Sequence, residues 1–94
     1  MSDLIQMKNI GKTLAEKLIQ VDINSSEALK QAGCESAFLK IKTIDQTACL
    51  NMLYALEGAI QEIRWHSLDA ACKAELKTFY EMTLTVDKLE KPTI

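Results

Sequence analysis

The sequence predicts an all-α protein, a compact bundle of about five helices that opens with a helix-hairpin-helix-like element. Three observations predict it. Breakers are scarce, one proline (Pro92) and three glycines in 94 residues, while the strong helix formers Ala, Leu, Lys, Glu and Met are plentiful. From Cys49 to Ile63 apolar residues recur at helical spacing over four turns. Finally, Met7-Lys8-Asn9-Ile10-Gly11-Lys12-Thr13-Leu14-Ala15-Glu16-Lys17-Leu18 reads as a tight turn running straight into an amphipathic helix.

Each element follows in order. A short helix is predicted over Asp3–Met7, contributing Leu4, Ile5 and Met7 to the core. The turn Lys8–Gly11 comes next, with Gly11 suited to a positive φ or a close backbone approach. A second helix is predicted over Lys12–Gln20, with Leu14, Ala15, Leu18 and Ile19 forming one buried stripe. Asp22 fits a left-handed position just past its end. Ile23 enters the core, and Ser25 is the N-cap of a helix over Ser26–Ala32 that Gly33 closes. Glu27 in the first turn favours the helix dipole. A fourth helix over Glu35–Ile41 offers Phe38, Leu39 and Ile41. Asp45 is placed to cap the longest helix, Thr47–Ile63, whose apolar positions are Cys49, Met52, Leu53, Leu56, Ala59, Ile60 and Ile63. Gly58 inside it costs about 1 kcal/mol relative to Ala, so it marks a close helix–helix approach. After Arg64-Trp65-His66, Ser67 caps a last helix from Leu68 to Leu84, with Leu68, Cys72, Leu76, Phe79, Tyr80 and Thr83 inward. The expected domain is 1–84, followed by a frayed tail over 85–94.

Composition narrows the function. At 10.5 kDa the chain is one domain. No apolar run approaches the ~20 residues that span a bilayer, and Met1-Ser2-Asp3 lacks the basic and apolar regions of a secretory signal. The expectation is a cytoplasmic protein with no membrane association. The formal net charge is −2, with residues 1–44 at +1 and residues 45–94 at −3. A domain that grips duplex DNA unaided carries a strong basic face, and this balance argues against one. The cysteines Cys34, Cys49 and Cys72 are odd in number and contain no Cys-x-x-Cys pair, so they read as structural thiols, not a disulfide framework or zinc site.

The residues with chemical potential are few. Lys8, Asn9, Ile10, Gly11, Lys12 and Thr13 form a turn entering a helix, where backbone N–H groups and the helix dipole favour an anion such as a nucleic-acid phosphate. The same residues also serve a purely architectural role, with Gly11 chosen for φ and Ile10 tucked into the core. Trp65 closes the bundle after the long helix, with Arg64 able to stack on it, and His66 is a polar loop residue. A lone His without partners at ligand spacing makes no metal site. No nucleophile elbow, phosphate loop or His-Glu-x-x-His is present, and Glu57 and Glu62 lie five apart, off a common face. Neither catalysis nor a cofactor is expected.

Asn9-Ile10-Gly11-Lys12-x-Leu14-Ala15-x-x-Leu18, Val21-Asp22-Ile23-x-Ser25, and Leu50-Asn51-Met52-Leu53-Tyr54-Ala55-Leu56-Glu57-Gly58-Ala59-Ile60 followed by Arg64-Trp65 together resemble the C-terminal domain of the TfoX/Sxy competence regulators of bacteria. The resemblance covers about residues 3–82 and implies a small all-α domain. In full-length regulators a further N-terminal domain precedes it, which the resemblance does not cover here. The chain departs from the family pattern at Lys8, where a proline is usual, at Asp22, where glycine is usual, and at Cys34, where a capping residue is usual. Two function classes follow. The first is a regulatory module that binds a protein partner or itself through apolar surface. The second is an accessory nucleic-acid-binding module working weakly through the Lys8–Thr13 turn.

Overall fold

The computed structural model describes residues 3–90, and side chains as far as residue 84. Two 3₁₀ turns and five α-helices make up the ordered elements: a turn over Leu4–Gln6, α1 (Lys12–Gln20), α2 (Ser26–Ala32), α3 (Cys34–Ile44), α4 (Leu50–Gln61), a turn over Trp65–Ser67, and α5 (Ala70–Glu90). There is no strand among the described residues. The all-α prediction therefore holds.

Capping chemistry places most boundaries. At the end of α1, Asp22 stands at φ 67°, the Ile23 N–H donates to Leu18 O at 2.9 Å and the Asp22 N–H to Ile19 O at 3.0 Å. That is a Schellman ending with Asp in the place usually held by Gly. Ser25 caps α2, its hydroxyl accepting from the Ala28 N–H at 3.1 Å. Gly33, at φ 83°, closes α2 and starts α3 without a connecting loop. The long helix α4 ends like α1, with Glu62 at φ 62° and the Ile63 N–H on Gly58 O at 2.9 Å.

The core is continuous through these elements. Leu4, Leu18, Leu29, Phe38, Ile41, Leu53 and Leu56 are its largest fully buried side chains. At about 25 cal/mol per Å² of apolar surface removed from water, such residues supply most of the drive to fold. Packing centres on α4, which lies against α2, α3 and α5. Tyr80 of α5 meets Phe38 of α3 edge-on, ring centroids 6.0 Å apart.

Several expectations are corrected. The predicted first helix is a single 3₁₀ turn: Asp3 Oδ1 and Oδ2 accept from Ser26 N (2.7 Å) and Ser26 Oγ (2.6 Å), so its start is spent capping α2. Leu4 is buried but Ile5 is exposed. With three residues in that element, the helix-hairpin-helix start lacks its first helix. The longest helix is α5, not α4, and it runs six residues beyond Leu84 to Glu90; residues 91–94 of the expected tail lie outside the described residues. Helix α4 starts at Leu50, not Thr47, because Asp45 caps a turn instead, accepting from the Thr47 N–H at 2.9 Å. Helix α5 starts at Ala70, because Trp65–Ser67 forms its own turn and the first helical N–H bond, from Lys73, goes to Asp69 O at 2.9 Å. Ile19 and Leu39, read as core, are more than two-fifths exposed (43% and 44%). Of the cysteines, Cys34 is buried as read, Cys72 is half-buried and Cys49 is exposed.

Candidate functional site

The turn from Met7 to Gly11 is built around Asn9, not Gly11. Asn9 holds the left-handed conformation at φ 70°, whereas Gly11 is extended at φ −93° and has open space around it. Asn enters this region more readily than most residues because its short polar side chain can bond locally. Here the amide is spent at long range. Its Nδ2 donates to Ile63 O at 2.9 Å and its Oδ1 accepts from the Trp65 N–H at 3.1 Å, clamping the turn onto the segment after α4. Both groups lie just beyond a helix end, where backbone polar atoms need outside partners.

Gly58 completes the clamp. A Cβ built on it would stand 2.5 Å from Asn9 Nδ2, 2.9 Å from Ile63 O and 3.1 Å from Trp65 Cα. The close approach read from this glycine is thus real, but its partners are the Asn9 turn and the Ile63–Trp65 segment, not another helix. Glycine is required because the turn lies directly on the α4 backbone.

Beside the clamp, three rings form a ladder. Tyr54 and Trp65 stack with centroids 5.9 Å apart at 17°, and Trp65 and His66 at 4.0 Å and 28°. The Tyr54 hydroxyl donates to Lys73 O at 3.4 Å. Lys73 Nζ lies 5.9 Å from the Trp65 ring centroid and donates to His66 O at 3.3 Å. The cation on the indole is therefore Lys73, where the sequence had suggested Arg64. Tyr54 and Trp65 are half-buried, His66 and Arg64 exposed.

The six candidate residues thus divide. Ile10 is buried at 4% exposure and Asn9 is consumed by the clamp, so both are architectural. Lys8, Gly11, Lys12 and Thr13 reach solvent. Gly11 precedes α1 without a side-chain cap, so the N–H groups of the first turn have no capping side chain. What sequence reasoning missed was the contact between this turn and the Trp65 loop. Gly58 was the signal that carried it.

A second feature is a cleft of about 440 Å³ lined by Gly33, Cys34, Glu57, Cys72, Glu75 and Leu76 among others. Burial first, then the Glu57 carboxylate as hydrogen-bond partner and charge, push the Cys34 thiol far up; burial and Glu57 raise Cys72 as well. Thiols held protonated in this way are poor nucleophiles and metal ligands. Among the described residues no three His, Cys, Asp or Glu side chains converge as a metal site. No helix among them is long and apolar enough to cross a membrane.

Comparison with known proteins places the chain. The model of the TfoX C-terminal domain matches residues 1–80. Two similar solved structures come from Listeria monocytogenes. One, an uncharacterized protein in a triclinic crystal form, is 48% identical, with a TM-score of 0.84, covering 85% of this chain and 91% of that one. The other, a protein of unknown function in a tetragonal form, is also 48% identical, with a TM-score of 0.82, covering 84% of this chain and 98% of that one. No curated protein matches the chain.

Proposed function

This chain belongs to the family of TfoX C-terminal domains, and from that premise we propose that it is a non-enzymatic regulatory module that acts by binding a protein partner or a second copy of itself. The observation that carries this reading is apolar surface left over after the core has closed. Ile5, Ile19, Leu39, Ile44, Met82 and Leu84 are each 39% to 61% exposed, although enough apolar residues remain to bury a full core. Single exposed apolar residues are ordinary. Here, though, Leu39 follows Phe38, which meets Tyr80 of α5, and Met82 and Leu84 continue α5 beyond that contact. Exposed apolar side chains on two helices that pack together are the kind of surface an interface uses. Regulation of competence belongs to this proposal as what the family name suggests, and a cytoplasmic setting as what the sequence led us to expect.

The test is the oligomeric state by sedimentation or light scattering across a concentration series. Self-association weakened by Met82→Glu and Leu39→Glu supports the reading. A strict monomer at high concentration, with no partner whose capture depends on those two residues, overturns it.

A second reading is favoured by a different observation. Lys8, Lys12 and Thr13 are exposed around the uncapped start of α1, the arrangement for a sequence-independent phosphate contact. It predicts duplex DNA binding at low salt that Lys12→Glu weakens without unfolding the domain.

A further inference from the structure

The clamp places two polar features side by side that the sequence keeps more than fifty residues apart: the Lys8 turn and the Arg64-Trp65-His66 segment, joined by Asn9 across separations of 54 and 56 residues. We infer that this junction is a landing site for single-stranded nucleic acid, one base stacking on His66 and flanking phosphates falling to Arg64 and Lys8. The inference rests on the nucleic-acid reading above but moves its centre from the α1 terminus to the ring ladder.

Tyr54, His66 and Lys73 all lie against the Trp65 ring, so the indole is the crowded member of the ladder. The stack ends at His66, which is exposed. An unpaired base, unlike a base in a duplex, can add itself to such an open end, and ring-on-base stacking tolerates any sequence. The platform is also rigid. Trp65 N is held by Asn9 at 3.1 Å, His66 O by Lys73 at 3.3 Å, and Tyr54 by Lys73 O at 3.4 Å. A stack fixed before the ligand arrives loses little conformational freedom on binding.

Charge supports the same face. Lys73 is engaged with the ladder itself, whereas Arg64 and Lys8 are exposed and form no salt bridge among the described residues. Opposing them, Glu62 and Asp69 lie on the same connecting segment, Glu62 being shared with Lys30 at 3.5 Å. Two available cations against this background give weak, salt-sensitive binding. With two phosphates neutralised, affinity falls about sevenfold between about 50 and 200 mM salt.

The test uses the full chain and its only tryptophan. Oligothymidine titrated at low salt is expected to quench Trp65 fluorescence to saturation, and a duplex of equal length to bind more weakly. Variants are compared by the anisotropy of a labelled oligothymidine. His66→Ala is expected to lower affinity about tenfold, with His66→Phe restoring it and both melting like the parent. Arg64→Glu and Lys8→Glu are expected to weaken binding and flatten its salt dependence. Oligothymidine binding that is absent at low salt, or unchanged in His66→Ala, overturns the inference. Loss with Lys12→Glu but not with His66→Ala overturns it while keeping the α1 phosphate reading, and the reverse pattern keeps the ladder and discards the α1 terminus.

Discussion

Among the described residues three non-glycine residues stand in the left-handed region, Asn9 at φ 70°, Asp22 at φ 67° and Glu62 at φ 62°, and the first two make the sharpest contrast. They stand there for different reasons. Asp22 ends α1 by bonds that all fall within six residues, from Leu18 to Ile23. Asn9 turns the chain so that its amide reaches Ile63 and Trp65. One connection is local grammar and the other is tertiary structure written with the same backbone conformation. The difference predicts that similar substitutions at the two sites change stability in opposite directions.

The largest effect belongs to the glycine beneath the clamp. Gly58→Ala gains about 1 kcal/mol of helix propensity, but the new methyl would overlap Asn9 Nδ2 and two backbone atoms that have no flexible route away. Overpacking of this kind costs about 1–3 kcal/mol, and more where backbone must move. Because two of the three overlapped atoms are backbone, the cost lies above that range at about 4 kcal/mol, and a net loss of about 3 kcal/mol in urea unfolding is expected. A neutral or stabilised Gly58→Ala would mean that the turn does not rest on α4, and the comparison would lose its tertiary arm.

Asn9 comes next. Asn9→Ala leaves Ile63 O and the Trp65 N–H without their partner and puts at φ 70° a residue that tolerates the left-handed region less well than Asn, for a loss of about 2–3 kcal/mol. Asn9→Gly keeps the conformation and removes only the bonds, so about half of that loss is expected. At the other connection Asp22→Gly relieves strain with no long-range bond to lose; against the extra entropy of an unfolded glycine, a gain of up to about 0.5 kcal/mol follows. Ser25→Ala removes a local cap, for a loss of about 1 kcal/mol. Thermal melts of the four variants decide the matter, and equal signs at Asn9→Gly and Asp22→Gly would remove the distinction.

The same division explains what the sequence disclosed. Helices α1 and α2 were legible to the residue, because Asp22, Ser25 and Gly33 act on neighbours within a turn of themselves. The first element was misread because Asp3 serves α2, 23 residues away, and not its own helix. The start of α4 was misread because Asp45 is drawn both to Thr47 and to Lys17, 28 residues earlier. In the candidate site, the exposed Lys8, Lys12 and Thr13 were visible as a pattern, but Asn9 looked like a turn residue and Trp65 like a lid. Nothing local distinguishes an Asn that bonds its own turn from one that bonds a loop across the bundle. Only Gly58 bore a trace of the contact, since a mid-helix glycine costs stability unless something lies against it.

The smallest expected effect sharpens the comparison most finely, because Asp45 is local and tertiary at once. Its hydrogen bond from Lys17 first, then those from the Thr47 hydroxyl and N–H, bring its carboxyl from 3.8 down to about 2. A carboxyl depressed in the folded state stabilises above its unfolded value and loses that contribution as pH falls through the folded one. The loss therefore falls between about pH 4 and pH 2, as acid protonates a group that the fold prefers charged. Asp3, lowered by its two bonds from Ser26, loses its contribution on the same acid limb. Asp45→Asn keeps an oxygen that can accept from Thr47 and discards only the charge that faces Lys17. If the tertiary part governs Asp45, the urea midpoint of Asp45→Asn falls less steeply with acid than that of the parent, and Lys17→Met reproduces the shallower slope. If the local turn governs it, Asp45→Asn follows a shallower slope alone, and Lys17→Met tracks the parent.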